Sequence, residues 1–408
     1  MRIGKICHQL LSIKLMSKPE SNEPSLQVRL FALAFRPFFI VAAIASLGLI
    51  LLWLAILSGE LRLTMHFSHN LWHAHEMLFG FVAAVIAGFL LTAVQAWTGL
   101  PGIKGYKLII LVLVWFAGRL LITFPVLAPV WSTVLVDLAF FPLLALVLST
   151  YVVRAKQWRN AVFIPILLLY SVANLLMHLQ ILGIANSAQT GLTLALWLTL
   201  LLIIILGGRV LPMFTSNGLG GVEIHSWKSV NVASILFYLL FVLADLSGFN
   251  SAAIYLAGVC AVVHFIRLCG WRSHLTLMTP LLWVLHVGYA WLVIGFVLFA
   301  LSEYLSLTRS VAIHAFAVGT VGNFVIGMMS RVALGHTGRP LQATIAMAIA
   351  YGFVNLAVLF RVIAPFFFES SWLSLMVAAG LTWALSFLIF LFIYIPILSL
   401  ARIDGKEG

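Results

Sequence analysis

The sequence predicts an all-α protein, a polytopic transmembrane helical bundle of about 12 spans. Of its 408 residues, 63% are hydrophobic and 8% are charged, whereas a soluble domain has about 25% charged residues and about 45–50% apolar ones. Apolar runs of roughly 18 or more residues, each long enough to cross a bilayer, recur along the chain. These runs are longer than the roughly ten-residue alternating strands of membrane β-barrels. Helices are therefore expected throughout.

The apolar runs place the spans in order along the chain. They are expected at 33–57, 73–97, 106–124, 131–153, 160–184, 192–214, 229–247, 250–269, 280–301, 309–331, 343–365 and 371–399.

The ends of the chain are expected to lie outside this twelve-helix domain, which takes up residues 31–400. Residues 1–30 are predicted to form a basic, flexible cytoplasmic segment, and residues 401–408 a short cytoplasmic tail. The apolar patch 7–16 is too short for a span and has no cleavage site of small residues, so no secretory signal peptide is predicted. Met16 is an alternative start to Met1.

The distribution of basic residues predicts that both termini are cytoplasmic. With the N-terminus inside, the inner segments hold 19 of the 23 Lys and Arg residues, and the outer loops hold only Arg62 and Arg309. This is the pattern of the positive-inside rule. The formal charge of +12 then reflects basic loops, so the bilayer is the expected partner and nucleic acid is not. The three cysteines form no CxxC pattern, which excludes a disulfide framework or a thiolate cluster.

Four of the 12 histidines, namely His66, His69, His73 and His75, lie within ten residues at the outer end of the second span. Imidazole is the commonest metal ligand and the usual axial partner of haem iron. At 100° per residue, His73 and His75 face nearly opposite sides of a helix, so a regular helix cannot offer both to one ion. His66, His69 and His73 would share one face of a helix, which suits a small metal site. Glu76 could accept a hydrogen bond from a histidine ring and so orient that ring toward a metal. Histidines hydrogen-bonded to water and headgroups are the alternative.

Other polar residues within spans are predicted at a similar depth. His178 and His314 lie roughly 9 Å and 7.5 Å below the outer ends of their spans, at about 1.5 Å per residue. Arg119, Arg361 and Asp137 fall at comparable depths on the same side. Polar groups inside a membrane are costly and usually functional. Arg119 needs a partner, which is either Asp137 or an anion such as a propionate. For His178 an interhelical hydrogen bond is the alternative to a ligand or a proton relay.

The inner ends of two spans carry arginines beside turn-forming residues. Arg209 follows two glycines near the end of the sixth span, and Arg331 precedes a short segment with His336 and Arg339. Guanidinium groups at this boundary could pair with haem propionates or with anionic lipid headgroups. A simple positive-inside anchor is the alternative.

Taken together, these motifs resemble the NnrS family. The resemblance rests on the segments 72–80 and 207–215, on His314-Ala315, and on Arg331 with the segment 335–339; it runs in order over nearly the whole chain from Phe35 onward. It implies a bacterial inner-membrane protein of 12 helices that contains haem and copper. The family is tied to nitric oxide metabolism and to tolerance of nitrosative stress, often beside denitrification. The motif positions carried by the resemblance are His73, His75, Glu76, Arg209, His314, Arg331, His336 and Arg339.

We therefore expect a multi-pass protein of the bacterial inner membrane that binds haem b and copper and acts on or senses nitric oxide. The preferred haem ligands are His314 with His75 or His73, and the first copper candidates are His66, His69 and His73. His178 could complete either site. The wider set of metal candidates adds His75, Glu76 and His314, and the wider set of cofactor-binding candidates adds Arg119, Arg209, Arg331, His336 and Arg339.

Two other functions fit the same chain. A secondary transporter of a proton, a metal ion or a small solute also has 12 spans and both ends inside. It predicts two similar halves, and the second half has no repeat of the pattern at 73–76. A quinol-linked oxidoreductase requires a proton route of tyrosines or carboxylates, which the sequence does not trace. Neither catalysis nor an electron donor is predicted from the residues.

Overall fold

The computed structural model describes residues 29–405, and within them the predicted all-helical architecture is confirmed, with no strand. The expectations for residues 1–28 and 406–408 fall outside the described residues. Twelve helices are long and apolar enough to cross a membrane. They are α1 (Phe35–Leu57), α2 (His69–Thr98), α3 (Tyr106–Thr123), α4 (Val130–Arg154), α5 (Trp158–Ile181), α6 (Ala188–Gly218), α7 (Lys228–Leu246), α8 (Asn250–Gly270), α9 (Pro280–Ala300), α10 (Arg309–His336), α11 (Ile345–Phe366) and α12 (Trp372–Ser399).

The observed helices extend four or more residues beyond the apolar runs at four ends. Helices α2 and α6 each begin four residues earlier than predicted, at His69 and Ala188, while α6 continues to Gly218 and α10 to His336. The residues added in each case are partly polar, so a hydropathy pattern cannot include them. As a consequence His69 and His336 are helical residues at the first and last turns of their spans.

The helices pack mainly against their neighbours in sequence, and α12 returns to pack along α1. Helices α2, α6 and α10 also contact one another across the middle of the bundle. Helices α2 and α10 are the most enclosed spans. The two histidine motifs of the sequence therefore lie on the two most enclosed helices, where a polar side chain meets protein rather than lipid.

Three spans contain a π-helical segment, and each of these segments begins beside or contains a polar residue of interest. They are Glu76–Val82 in α2, Ala315–Gly322 in α10 and Leu359–Ile363 in α11. Short π segments inside α-helices occur frequently at functional sites. Within the π-helical segment of α2, the Gly80 carbonyl accepts a hydrogen bond from Trp115 Nε1 at 2.9 Å.

The small residues after His314 serve helix packing. A Cβ atom on Gly319 would lie 2.6 Å from the Trp291 ring of α9, and one on Gly322 would lie 2.6 Å from the Trp383 ring of α12. Close approach of helices through small residues is the usual way that spans associate in lipid. The glycines therefore explain how α10 sits between α9 and α12, and His314 remains to be explained separately.

Candidate functional site

Six polar side chains from α2, α3, α4 and α5 meet inside the bundle, near the ends of the spans that adjoin the 58–68 loop. All six are buried. We call this group the buried polar cluster; it consists of His75, Glu76, Arg119, Asp137, Asn174 and His178.

Asp137 lies at the centre of the cluster. Its Oδ1 atom accepts a hydrogen bond from Arg119 Nη2. Its Oδ2 atom accepts hydrogen bonds from Asn174 Nδ2 at 2.8 Å and from His178 Nε2 at 2.8 Å, and lies 3.3 Å from His75 Nε2. Of the two partners that the sequence left open for Arg119, the structure thus shows Asp137. Asn174 and His178, four residues apart on one helix face, reach the same carboxylate.

His75 is held at both ring nitrogens. Nδ1 lies 3.0 Å from Glu76 Oε1, and Nε2 lies 3.0 Å from Asn174 Oδ1. The amide of Asn174 is oriented by its other end, which donates to Asp137. Both nitrogens of His75 therefore face oxygen acceptors, and a neutral imidazole has one N–H to donate. The ring either carries two protons or faces a bound cation.

The charges of the cluster lead to the same requirement. As carboxylates, Glu76 and Asp137 contribute two negative charges, and Arg119 contributes one positive charge. Arg119 belongs to this group because its Nη1 atom lies 3.4 Å from Glu76 Oε1. Buried charges in low dielectric must be nearly balanced. One further positive charge is needed, and the space between His75, Asp137 and His178 is where it is best stabilised.

Three of these side chains have the geometry of a metal site. One nitrogen each of His75 and His178 and one oxygen of Asp137 all lie within 4.8 Å of one another. Among residues 29–405, this is the group of potential metal ligands that meets this distance. Glu76 behind His75 provides the carboxylate–imidazole contact that orients metal-binding histidines. The second oxygen of Glu76 and Nδ1 of His178 are buried without a hydrogen-bond partner in the described chain.

The two motif histidines face opposite sides of α2, as their spacing predicted. While His75 faces α4 and α5, the His73 ring stacks on Trp53 of α1 with ring centroids 4.7 Å apart. The side chains of His73 and Arg361 both interact electrostatically with the His314 ring. We call this second group the His73–His314 face; it consists of Trp53, His73, Ser310, His314 and Arg361.

His314 has one ring nitrogen fixed and one available. Its Nδ1 atom lies 2.7 Å from the Ser310 carbonyl oxygen, so Nδ1 carries the proton and donates it there. Nε2 therefore presents a lone pair. This is the arrangement in which a backbone carbonyl orients a histidine that binds metal through its other nitrogen. Arg361 Nη2 donates to the Ser310 hydroxyl at 2.8 Å, which links the guanidinium to the same turn. Nδ1 of His73 is buried with no partner in the described chain.

The remaining two histidines of the first motif are placed less centrally. His69 is exposed and its Nε2 lies 3.1 Å from the Leu63 carbonyl oxygen. His66 has a buried Nε2 without a partner in the described chain. Burial, and then the proximity of His178, lowers the pKa of His66 below its usual value, which favours the neutral ring. The structure thus brings His75 and His178 together and leaves His66, His69 and His73 apart as a ligand set.

At the end of the bundle opposite the histidine groups, the segments that carry Arg209 and Arg331 contact each other through an aromatic ring. The Arg331 guanidinium lies 3.9 Å above the Phe214 ring, which joins α10 to the end of α6. Arg209 donates to Asn160 at 3.2 Å. His336 packs on Phe35, with centroids 5.6 Å apart. Arg339 has a buried Nη1 atom with no hydrogen bond in the described residues. These residues lie far along their helices from the histidine groups, so they do not contribute ligands there.

The two glycines before Arg209 lead to a prediction about the stability of this end of the bundle. A Cβ atom on Gly208 would lie 1.7 Å from Arg267 Nη2, and Arg267 is anchored by bonds to Asn231, Tyr289 and the Ile204 carbonyl. We expect Gly208→Ala to destabilise the protein by about 1–3 kcal/mol through overpacking. Gly207→Ala is the matched control, because its Cβ would make an ordinary 3.5 Å contact with Phe324. Thermal unfolding in detergent measures both, and equal melting temperatures would contradict the prediction.

Sequence comparison agrees with the resemblance described above. Comparison with curated protein sequences finds no significant match. The sequence profile described as NnrS protein matches residues 29–402, which is nearly the whole chain and includes both histidine groups and the arginine motifs. The chain therefore belongs to the NnrS family.

Proposed function

We propose that this chain is a haem-copper protein of the bacterial inner membrane that binds or turns over nitric oxide, and so acts in nitric oxide metabolism or in resistance to nitrosative stress. Membership of the NnrS family and a bundle of twelve membrane-crossing helices both fit a nitric oxide response protein. The observation that carries the proposal is the pair of adjacent imidazole sites that diverge from one helix, at His73 and His75.

The buried polar cluster fits copper. Two imidazoles and one carboxylate are ligand types that copper accepts, and imidazole suits it well. The converging ligand atoms of His75, Asp137 and His178 need a positive charge between them. His66 is the candidate for a further ligand, because its Nε2 is buried without a partner in the described chain and the next residue, Phe67, packs on the His178 ring. His69, whose ring is exposed, is the weakest of the candidates from the sequence.

The His73–His314 face fits haem. His314 presents Nε2 with its tautomer fixed by Ser310, and His73 makes no hydrogen bond in the described chain. Of the two pairs expected from the sequence, the geometry favours His73 with His314, because His75 is committed to the opposite side of α2. Arg361 supplies a cation at the same turn, where a haem propionate would need one.

Once bound, haem iron and copper would supply the binding sites for nitric oxide. The chain's own residues orient and insulate them. Glu76 fixes the His75 ring, the Ser310 carbonyl fixes the His314 ring, and Arg119 holds Asp137 in place. Phe67 and Phe79 lie against the His75 ring, with centroids 5.2 Å and 4.9 Å away, and keep water from it. A dry site strengthens every electrostatic contact within it.

One measurement tests the proposal as a whole. The full-length protein, purified in detergent, should contain copper and show the Soret band of haem, and nitric oxide should shift that band. A protein with neither a Soret band nor copper would contradict the proposal. The same result would favour the transporter alternative, and uptake of protons or metal ions into liposomes would then be the next measurement.

A further inference from the structure

A narrow apolar cleft lies between α1, α2, α6 and α10, away from both histidine groups. It encloses about 670 Å³ of empty space including its open mouth. Of its lining residues, Thr199 alone has a polar side chain, and that hydroxyl is already bonded to Tyr170 and to the Ala195 carbonyl. The cleft therefore offers nothing to a polar ligand.

The cleft has a closed end and an open end. The lining residues at mid-bundle, such as Val82, Thr199 and Val321, are buried. Those at the other end, including Val210 and Met328, are partly exposed. From Thr199 to Val210 the helix rises about 16 Å at 1.5 Å per residue. This length matches half of the roughly 30 Å hydrocarbon core of a bilayer.

Two arginines stand at the open end. Arg209 directly precedes Val210, and Arg331 follows Met328 by three residues, less than one helical turn beyond the mouth. Arg331 is 8% exposed and makes no hydrogen bond or ion pair among the described residues, its recorded contact being the Phe214 ring. Arg209 bonds to the neutral Asn160 side chain. Neither arginine appears among the ion pairs found within residues 29–405.

We propose that this cleft binds one anionic phospholipid, with an acyl chain in the apolar cleft between α2, α6 and α10 and its phosphate on Arg331 and Arg209. An arginine residue that is more than nine-tenths buried and has no anion beside it is costly in a membrane protein. A phosphate at the mouth removes that cost, and arginine binds phosphate with two parallel hydrogen bonds. The lining includes no histidine, so a haem in this position would lack its axial imidazole.

A lipid bound in this cleft would affect the packing of α2 against α10. Its acyl chain would fill space between α2 and α10, the two helices that carry the histidine groups. Walls that have no atoms opposite them forfeit van der Waals contacts. A bound chain restores them, so the lipid is expected to stabilise the spacing of these helices without contacting either site.

Native mass spectrometry of the delipidated full-length protein tests the proposal. Phosphatidylglycerol added back should bind with a stoichiometry of one per chain and should raise the melting temperature, because a ligand of the folded state stabilises it. Phosphatidylcholine with the same acyl chains carries the same phosphate, but its cationic choline group cancels the negative charge beside the arginines, so it should bind less. Arg331→Gln should weaken phosphatidylglycerol binding about fivefold, the equivalent of ~1 kcal/mol for one basic residue at a membrane surface.

Two further variants make the result specific to the cleft. Val210→Phe fills the mouth and leaves both arginines, and it should reduce binding of either lipid. Arg154→Gln removes an exposed arginine from the same end of the bundle and should leave binding unchanged. Should Arg331→Gln not fold, Arg331→Lys and Val210→Phe carry the test. Equal binding of the two lipids, or equal losses in Arg154→Gln and Arg331→Gln, would overturn the proposal, since the lipid would then be only a general surface contact.

Discussion

His314→Ala is expected to remove most of the haem from the purified protein. The ring of His314 is fixed by the Ser310 carbonyl at 2.7 Å and has its Nε2 lone pair free. Loss of even an orienting contact behind a metal ligand typically costs about 10–100-fold in affinity, so loss of the ligand itself should cost more. The Soret absorbance per protein, measured after purification without added haem, should fall at least about tenfold.

A matched control separates ligation from general damage to the bundle. His286 is also a buried histidine, but it is held by Thr215 at 2.8 Å and Ser273 at 2.9 Å near the other end of the spans. We expect His286→Ala to lose stability and to keep its haem. An unchanged Soret band in His314→Ala, with His286→Ala behaving in the same way, would show that His314 is not a ligand.

The two histidines of α2 extend this experiment. His73→Ala should alter or remove the haem spectrum and keep the copper, whereas His75→Ala should lose copper and keep the haem. The two positions are two residues apart on one helix, so a general effect on α2 would change both signals together. The opposite result, with copper lost from His73→Ala, would exchange the assignments of the two sites.

The twelve spans were predictable because apolar runs of bilayer length have one stable outcome in lipid, which is a helix. The divergence of His73 and His75 was also predictable, since it follows from 100° per residue alone. Depth could be inferred for His178, Arg119 and Asp137 by counting residues from span ends.

The neighbours of each helix could not be predicted in the same way. Hydropathy gives the depth of a residue but not the position of its helix in the bundle, so the meeting of α2, α4 and α5 at Asp137 was open. The π-helical segments beside Glu76 and His314 could not be predicted either, because no residue propensity marks them. Asn174 lies one helical turn before His178, and its role as the link between Asp137 and His75 appears only when α2 is placed beside α5.

Asp137→Asn is expected to be the most damaging single substitution in the buried polar cluster. Asp137 accepts hydrogen bonds from Arg119, Asn174 and His178, and an amide presents an NH₂ group to donors that need an acceptor. The positive charge of Arg119 then has one of its two neighbouring carboxylates left, that of Glu76. Breaking a buried ion pair by removal of one partner costs about 3–5 kcal/mol. Thermal unfolding in detergent should show this loss, and the copper content of the purified protein should fall by at least about tenfold.

Asp245→Asn is the matched control for this change. Asp245 is likewise a buried carboxylate within a span, and it accepts hydrogen bonds from Trp197 at 2.9 Å and Arg309 at 2.6 Å. Arg309 has a side chain that is 43% exposed, so water can solvate its charge when the partner is lost. Exposed pairs contribute about 0–1 kcal/mol. We expect a smaller loss of stability and an unchanged copper content.

The double variant Arg119→Met with Asp137→Asn separates the two roles of the aspartate. Removal of both charges avoids the unpaired guanidinium, so part of the lost stability should return. The copper should not return, because the oxygen ligand between His75 and His178 is still absent. Copper that recovered together with stability would mean that Asp137 serves only to balance Arg119. A stable but copper-free double variant would instead identify Asp137 as a ligand, since the unpaired guanidinium would then have been removed without restoring the site.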